Sequence, residues 1–376
     1  MRNWRRALGY YPLLPLGGAT ALVWANAAGD SYFRFAQSIA YPVNEIGVTF
    51  AIASLAQEVL EAMTPGGTLR SWRAAVLPIV AGVGGTVAAA ATYATYIHAT
   101  DEGILGRGWP IACGVDVFFS VALARALFRG GASVTFVVLV AIVSDVIALA
   151  FSSWRPFVDR AEPGAVGLIA IAVAVSIAFR ALGVVSLWAY VLVAGPLSWF
   201  GCYWSGIHPA IALLPIVPFF RRSPRPLDDL DPLRHGHARY AHFETAFEYP
   251  LQGVAFLFGL VNAGVLMRGY GTGTWAILTA SLAGRPLGIL LTVSIALMIG
   301  LRPPRSMRWN DLVVIALLGS LGLTFAVFLS TAVFPDGPLL QETKIGAIAT
   351  IVGAPIAFAL ARALRVGRFV QRTGRV

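Results

Sequence analysis

Apolar residues in this chain come in long unbroken runs, without the strict alternation of a half-buried strand or the narrow stripe of a surface helix. The runs fall near 12–28, 43–63, 74–97, 110–128, 133–151, 164–180, 183–199, 204–220, 248–268, 273–300, 311–334 and 341–365. Each is close to the ~20 residues a helix needs to cross ~30 Å of hydrocarbon. The pattern predicts an all-α polytopic membrane protein of about 12 transmembrane helices. Continuous apolarity excludes the two-residue period of an outer-membrane barrel. Residues 1–376 read as a single transmembrane domain, with one long polar connection at 221–245 expected to be a cytoplasmic loop. His235, His237 and His242 cluster in that loop, where a solvated segment is the simplest expectation. The fourth and eleventh runs are interrupted, by Cys113-Gly114-Val115-Asp116 and by Gly319-Ser320-Leu321-Gly322-Leu323-Thr324. Glycines at matching depth suggest discontinuous helices whose free ends face a cavity. Close helix packing explains the same glycines taken singly.

Composition strengthens this picture. The 376 residues are 57% hydrophobic and 12% charged, with a mean hydropathy of +0.74, too little polar surface for a soluble monomer. Two cysteines, Cys113 and Cys202, give neither a disulfide framework nor metal-ligand spacing. No cleavable signal pattern opens the chain.

The net charge of +10 is first a question of sidedness. With twelve spans, the two terminal arms and the even-numbered connections hold 21 basic residues, and the opposite connections hold 6. The excess places both termini in the cytoplasm. It also accounts for the charge without nucleic acid, so membrane lipids are the expected surroundings. One basic residue, Arg285, is left inside a span.

Ionisable groups within spans suggest function, because each costs a few kcal/mol to insert. Asp116 lies in the fourth run, Asp145 in the fifth and Arg285 in the tenth, while Glu58 and Glu61 end the second. A buried carboxylate holds a proton or a hard cation, and not readily both. Asp145 is therefore a candidate for proton–cation exchange. A structural salt bridge between Asp145 and Arg285 is the alternative. Nucleotide loops, metal clusters and catalytic triads are absent from the sequence, so neither a cofactor nor an enzyme is expected.

Short stretches in order along nearly the whole chain then carry a resemblance. They include LVWANA at 22–27, VNEIGV through QEVLEA at 43–62, LPIVAGVGG at 77–85, GWPIACGVDV at 108–117 and LVAIVSDVIAL at 139–149. SGIHPAIA at 205–212, LVNAGV at 260–265, AGRPLGI at 283–289 and LGSLGLTFAVF at 318–328 follow. The chain resembles the NhaA-type sodium/proton antiporters. That likeness implies a twelve-helix inverted-repeat antiporter fold with two discontinuous helices, spans 4 and 11, crossing at an ion site in the bacterial inner membrane. It implies Na+ or Li+ and H+ as transported ions, alternating access, and a homodimer. By the same likeness, Asp145 is similar to the cation-binding aspartate of a pair and Asp116 to the aspartate beside the crossing. Glu58 and His208 fall at family positions associated with pH response, although Pro209 replaces a small residue after His208.

The departures matter as much. Ser144-Asp145 stands where the family has Asp-Asp, Arg285 where it has lysine, Val115-Asp116 where it has Thr-Asp, and Leu60 where it has a basic residue. Serine carries no charge and arginine keeps its proton in proteins. Asp145 is left as the principal proton carrier, which implies electroneutral exchange of about one proton per cation in place of the family's two. Ser144 and Thr324 could add hydroxyl oxygens, though back-bonding to the helix also accounts for them. Should Arg285 instead pair with Asp145, a cation would be repelled. The protein would then move another solute, or serve as a non-transporting regulatory or structural membrane subunit.

Overall fold

The computed structural model describes residues 13–63, 72–128, 131–152, 162–220, 243–304 and 307–370. Among these the chain is helical, with no strand. Helices α1 (Leu13–Ala27) and α2 (Gly29–Tyr41) form a tight pair, and α2 runs through a wide π turn at Pro42–Gly47 into α3 (Val48–Ala62). The proline explains the turn: its missing N–H and its ring clash disrupt a regular ladder. Helix α4 (Trp72–Ala99) is followed by the bent pair α5 (Trp109–Cys113) and α6 (Val117–Phe128), then by α7 (Ala132–Ser152). Helix α8 (Val166–Ala181) leads to Leu187–Ala189, which passes through a second wide turn, Tyr190–Ala194, into α9 (Gly195–Ser205).

The second half opens with α10 (Phe243–Asn262) and α11 (Thr272–Thr279). A third wide turn, Ala280–Gly284, joins α11 to α12 (Arg285–Met298) just before Pro286. The bent pair α13 (Trp309–Leu318) and α14 (Leu323–Val333) follows, and α15 (Pro338–Ala349) continues through a tight turn at Thr350–Val352 into α16 (Gly353–Ala363). The pairs α5–α6 and α13–α14 bend by 44° and 45°. Each half thus presents helix, broken helix, helix in the same order, as two discontinuous spans require.

Among the described residues six helices are long and apolar enough to cross a membrane, or up to eight when each bent pair counts as one span. Leu13–Ala27 and Pro250–Asn262 add shorter apolar helices. An all-α, multi-pass membrane protein is thus the architecture. The individual runs need two corrections. The second span begins at Gly29 and not at 43. The run at 204–220 is no continuous helix: it is a series of turns with short 3-10 segments at Pro209–Ile211 and Val217–Phe219. Pro209, Pro215 and Pro218 withdraw three backbone donors from that stretch. Residues 221–242, most of the stretch expected to be a cytoplasmic loop and the three histidines with it, lie outside the described residues, as do 1–12 and 371–376.

Small residues set the closest packing, as is usual where apolar burial does not distinguish a neighbouring helix from lipid. Helix α4 lies along α12, and a Cβ on Gly288 would stand 2.2 Å from the Ala88 methyl and 2.7 Å from the Gly84 carbonyl oxygen. Helix α1 packs on α10 through Gly17 and Gly259, each facing backbone of the other helix. A Gly288→Val substitution should therefore lower stability by about 1–3 kcal/mol. Gly253→Ala, where nothing lies within 4 Å, serves as the control. Thermal unfolding of purified protein in detergent checks this, and equal midpoints for Gly288→Val and wild type would refute the seam.

Candidate functional site

The two breaks meet, and glycine is what lets them. A Cβ on Gly114 would stand 2.6 Å from Leu329 Cδ1, and one on Gly322 would stand 3.3 Å from the Gly114 carbonyl oxygen. Between the broken segments the Asp116 amide donates to the Leu321 carbonyl at 2.7 Å. Four helix ends converge here: the C-termini of α5 and α13 and the N-termini of α6 and α14. Each end carries unpaired backbone groups and a partial charge of about half a unit.

Fully buried Arg285 answers the negative ends. Its Nη2 donates to the Ala112 carbonyl of α5 at 2.8 Å, and its Nη1 to the Gly319 carbonyl beyond α13 at 3.3 Å. Among the described residues it forms no ion pair with Asp116 or Asp145. Asp116 answers the positive ends. Its Oδ1 accepts from the Phe119 amide of α6 at 3.0 Å, and its Oδ2 accepts from the Thr324 amide of α14 at 3.2 Å and from the Thr324 hydroxyl. Both oxygens of Asp116 are thereby engaged.

Asp145, on α7 and 1% exposed, is placed differently. Its Oδ1 accepts from the Val115 amide in the first break at 2.8 Å, while its Oδ2 is buried with no hydrogen-bond partner. Ser144 Oγ lies 3.2 Å from the Thr86 hydroxyl of α4. A cavity of about 20 Å³ touches Asp145 and Asp116 and is otherwise lined by apolar groups, among them Val48, Ala51, Ile52 and Leu55 of α3, Phe258 and Phe325. That is room for about one water-sized species.

Of the residues singled out in the sequence, Asp116, Asp145, Arg285 and Thr324 come together at the crossing, with Ser144 behind Asp145. His208 does not join them directly. Its Nε2 is 3.7 Å from Glu45 Oε1, its Nδ1 accepts from the Ala210 amide at 3.2 Å, and its ring packs edge-on against Phe328 of α14. The side chain of Glu58 lies outside the described residues. Sequence reasoning missed Glu45 and Thr350. With the span set to begin at 43, Glu45 reads as an end residue, whereas it lies well inside the helix that begins at Gly29. Nothing in the sequence marks Thr350 apart from other helical threonines.

A multi-pass membrane protein built around two crossing broken helices, with a buried carboxylate at their junction, belongs to the class of secondary transporters. The family described as Na+/H+ antiporter 1 matches residues 12–361. Relatives named Na(+)/H(+) antiporter NhaA include one from Desulfitobacterium hafniense, 35% identical over 369 residues and covering 94% of each chain. Another from Geobacter metallireducens is 32% identical over 363 residues, covering 94% of this chain and 95% of the relative. A third from Jannaschia sp. is 30% identical over 415 residues, covering 97% and 98%. The chain belongs to the Na+/H+ antiporter 1 family, a family of transporters and not of enzymes.

The clamp on the helix ends has a direct consequence. Arg285→Ala should destabilise the protein by about 2–5 kcal/mol, since it takes the guanidinium bonds from two buried carbonyls, leaves Ala112 with only the long 3.5 Å bond from Ser281, and opens a void. Arg285→Lys should recover only part, because one ammonium lacks the guanidinium fork. Thermal unfolding in detergent reads both, and wild-type stability of Arg285→Ala would rule out the clamp.

Proposed function

We propose that this protein exchanges sodium or lithium ions for protons across the membrane, with Asp145 as the carboxylate that proton and cation share. The observation that carries the proposal is the Asp145 carboxylate: one oxygen is held by Val115, the other is buried with no hydrogen-bond partner, and the residue lines a small cavity. A proton on Oδ2 neutralises the buried charge. A cation arriving at the same oxygen does the same, so each displaces the other. Asp116 and Thr324 are already committed to the helix ends, and in this proposal they shape the site more than they bind the ion. Ser144 stands behind Asp145 as a neutral group where a second aspartate would compete for protons.

The competing solute and non-transporting readings rest on an Asp145–Arg285 pair, and Arg285 directs its bonds to carbonyls instead. Its positive charge is then permanent and engaged, and Ser144 has none. Exchange of about one proton per cation follows, with no net charge moved. Alternating exposure of the site to the two faces completes the proposed cycle, both termini being cytoplasmic on the basic-residue excess. His208, beside Glu45, is the proposed pH-responsive group outside the cavity.

Reconstituted protein tests the site. Asp145→Asn should abolish sodium-driven proton movement while leaving a folded, monodisperse protein, and residual sodium-dependent proton release would count against the assignment. Electroneutrality has a separate test. One net charge moved through 100 mV is worth ~2.3 kcal/mol, so an electrogenic exchanger responds to an imposed potassium-diffusion potential. This protein should run at the same rate under either sign of potential, with sodium and pH gradients fixed; a strong response would reject the one-for-one stoichiometry.

A further inference from the structure

The second break contains a residue under backbone strain. Leu323, which opens α14, has φ +34°, a region that L side chains rarely adopt. Its amide and that of Gly322 are two of the unpaired donors of the α14 N-terminus, in the interior of the protein. Both donate to one atom, Thr350 Oγ1, at 3.1 Å each. That hydroxyl in turn donates to the Ala347 carbonyl at 2.6 Å, so its one donor and two acceptor positions are filled. Thr350 is fully buried and sits in the tight turn Thr350–Val352 between α15 and α16. Gly353 follows on the same side of that turn, and a Cβ there would stand 2.6 Å from Leu321 Cδ2 and 2.8 Å from Leu282 Cδ2. The turn is thus pressed against the break. The next amide along α14, that of Thr324, goes to Asp116.

We infer that Thr350 is a positioning residue for the ion site. It absorbs the first two donors of the α14 positive end and holds the strained Leu323 in place, so that Asp116 has only Thr324 to satisfy on that helix. The inference rests on the proposed cation–proton exchange at Asp145 for its transport readout, and on the hydrogen bonds alone for its structural one. Without the Thr350 oxygen, the Gly322 and Leu323 amides present uncompensated positive charge beside Asp116, which shapes the site, and Asp145, which would hold the cation. The carboxylates turn toward those amides, and cation affinity falls.

Three variants test this: Thr350→Val, which keeps the shape and removes the oxygen; Thr350→Ala; and Thr350→Ser, which restores the oxygen. In proteoliposomes Thr350→Val should raise the KM for sodium about tenfold, in line with loss of buried hydrogen bonds. The maximal rate should change much less. Thr350→Ser should return KM to near the wild-type value. Hydrogen–deuterium exchange of the peptide spanning 319–326 should quicken in Thr350→Val and Thr350→Ala and stay slow in Thr350→Ser. Unchanged exchange in the valine and alanine variants overturns the bracing role whatever the transport result. Faster exchange with an unchanged sodium KM overturns the link to the ion site. Should wild-type protein show no sodium-driven proton flux, the exchange reading of Asp145 fails and the inference loses its transport half, while deuterium uptake still decides the bracing. If Thr350→Val fails to fold, Thr350→Ala against Thr350→Ser carries both comparisons.

Discussion

A helix that stops inside a membrane leaves backbone groups that neither water nor lipid can satisfy, and this chain stops two helices there. Four ends meet in a space that excludes solvent, and each unpaired amide or carbonyl would cost several kcal/mol. The residues around the crossing follow from that constraint. Arg285 takes the carbonyls of α5 and of the segment after α13, Asp116 takes amides of α6 and α14, and Thr350 takes the two that remain at Gly322 and Leu323. Asp145 takes the Val115 amide and keeps one oxygen spare. That spare oxygen is what is left over once these backbone groups have been satisfied.

Ser144 beside Asp145 and a guanidinium at position 285 form a coherent set. A guanidinium offers a planar fork that reaches two carbonyls on different segments, and here it does so without a carboxylate partner among the described residues. A neighbouring aspartate would draw that fork away. Ser144 does not, and its hydroxyl instead lies beside Thr86 on α4.

Much of this was legible in the amino-acid order. Apolar runs announce spans because lipid tolerates no exposed polar backbone, and the glycine-containing breaks together with Asp116, Asp145 and Arg285 stand out against them. The segment 204–220 misleads because hydropathy sees its leucines and isoleucines, while its three prolines decide its backbone. Glu45 is hidden for a related reason: the polar stretch from Asp30 to Gln37 looks like a connection, yet Gly29–Tyr41 is helical and carries the span outward past it. Thr350 is beyond the reach of pattern altogether. Its role depends on a contact between segments that are distant in the chain, and a buried threonine bonded back to its own helix has the same signature.

The apolar wall of the cavity has a mechanical meaning. Val48, Ala51, Ile52 and Leu55 recur on one face of α3 and meet the crossing with hydrocarbon alone. Directional bonds define a single register, and shifting them by a fraction of an ångström is costly. Dispersion contacts have no such directionality, although each depends on close approach. The bonds that hold the crossing therefore tie its own parts to one another in one register, while the side chains of Val48, Ala51, Ile52 and Leu55 meet it through shape and hydrocarbon alone and fix no register of their own.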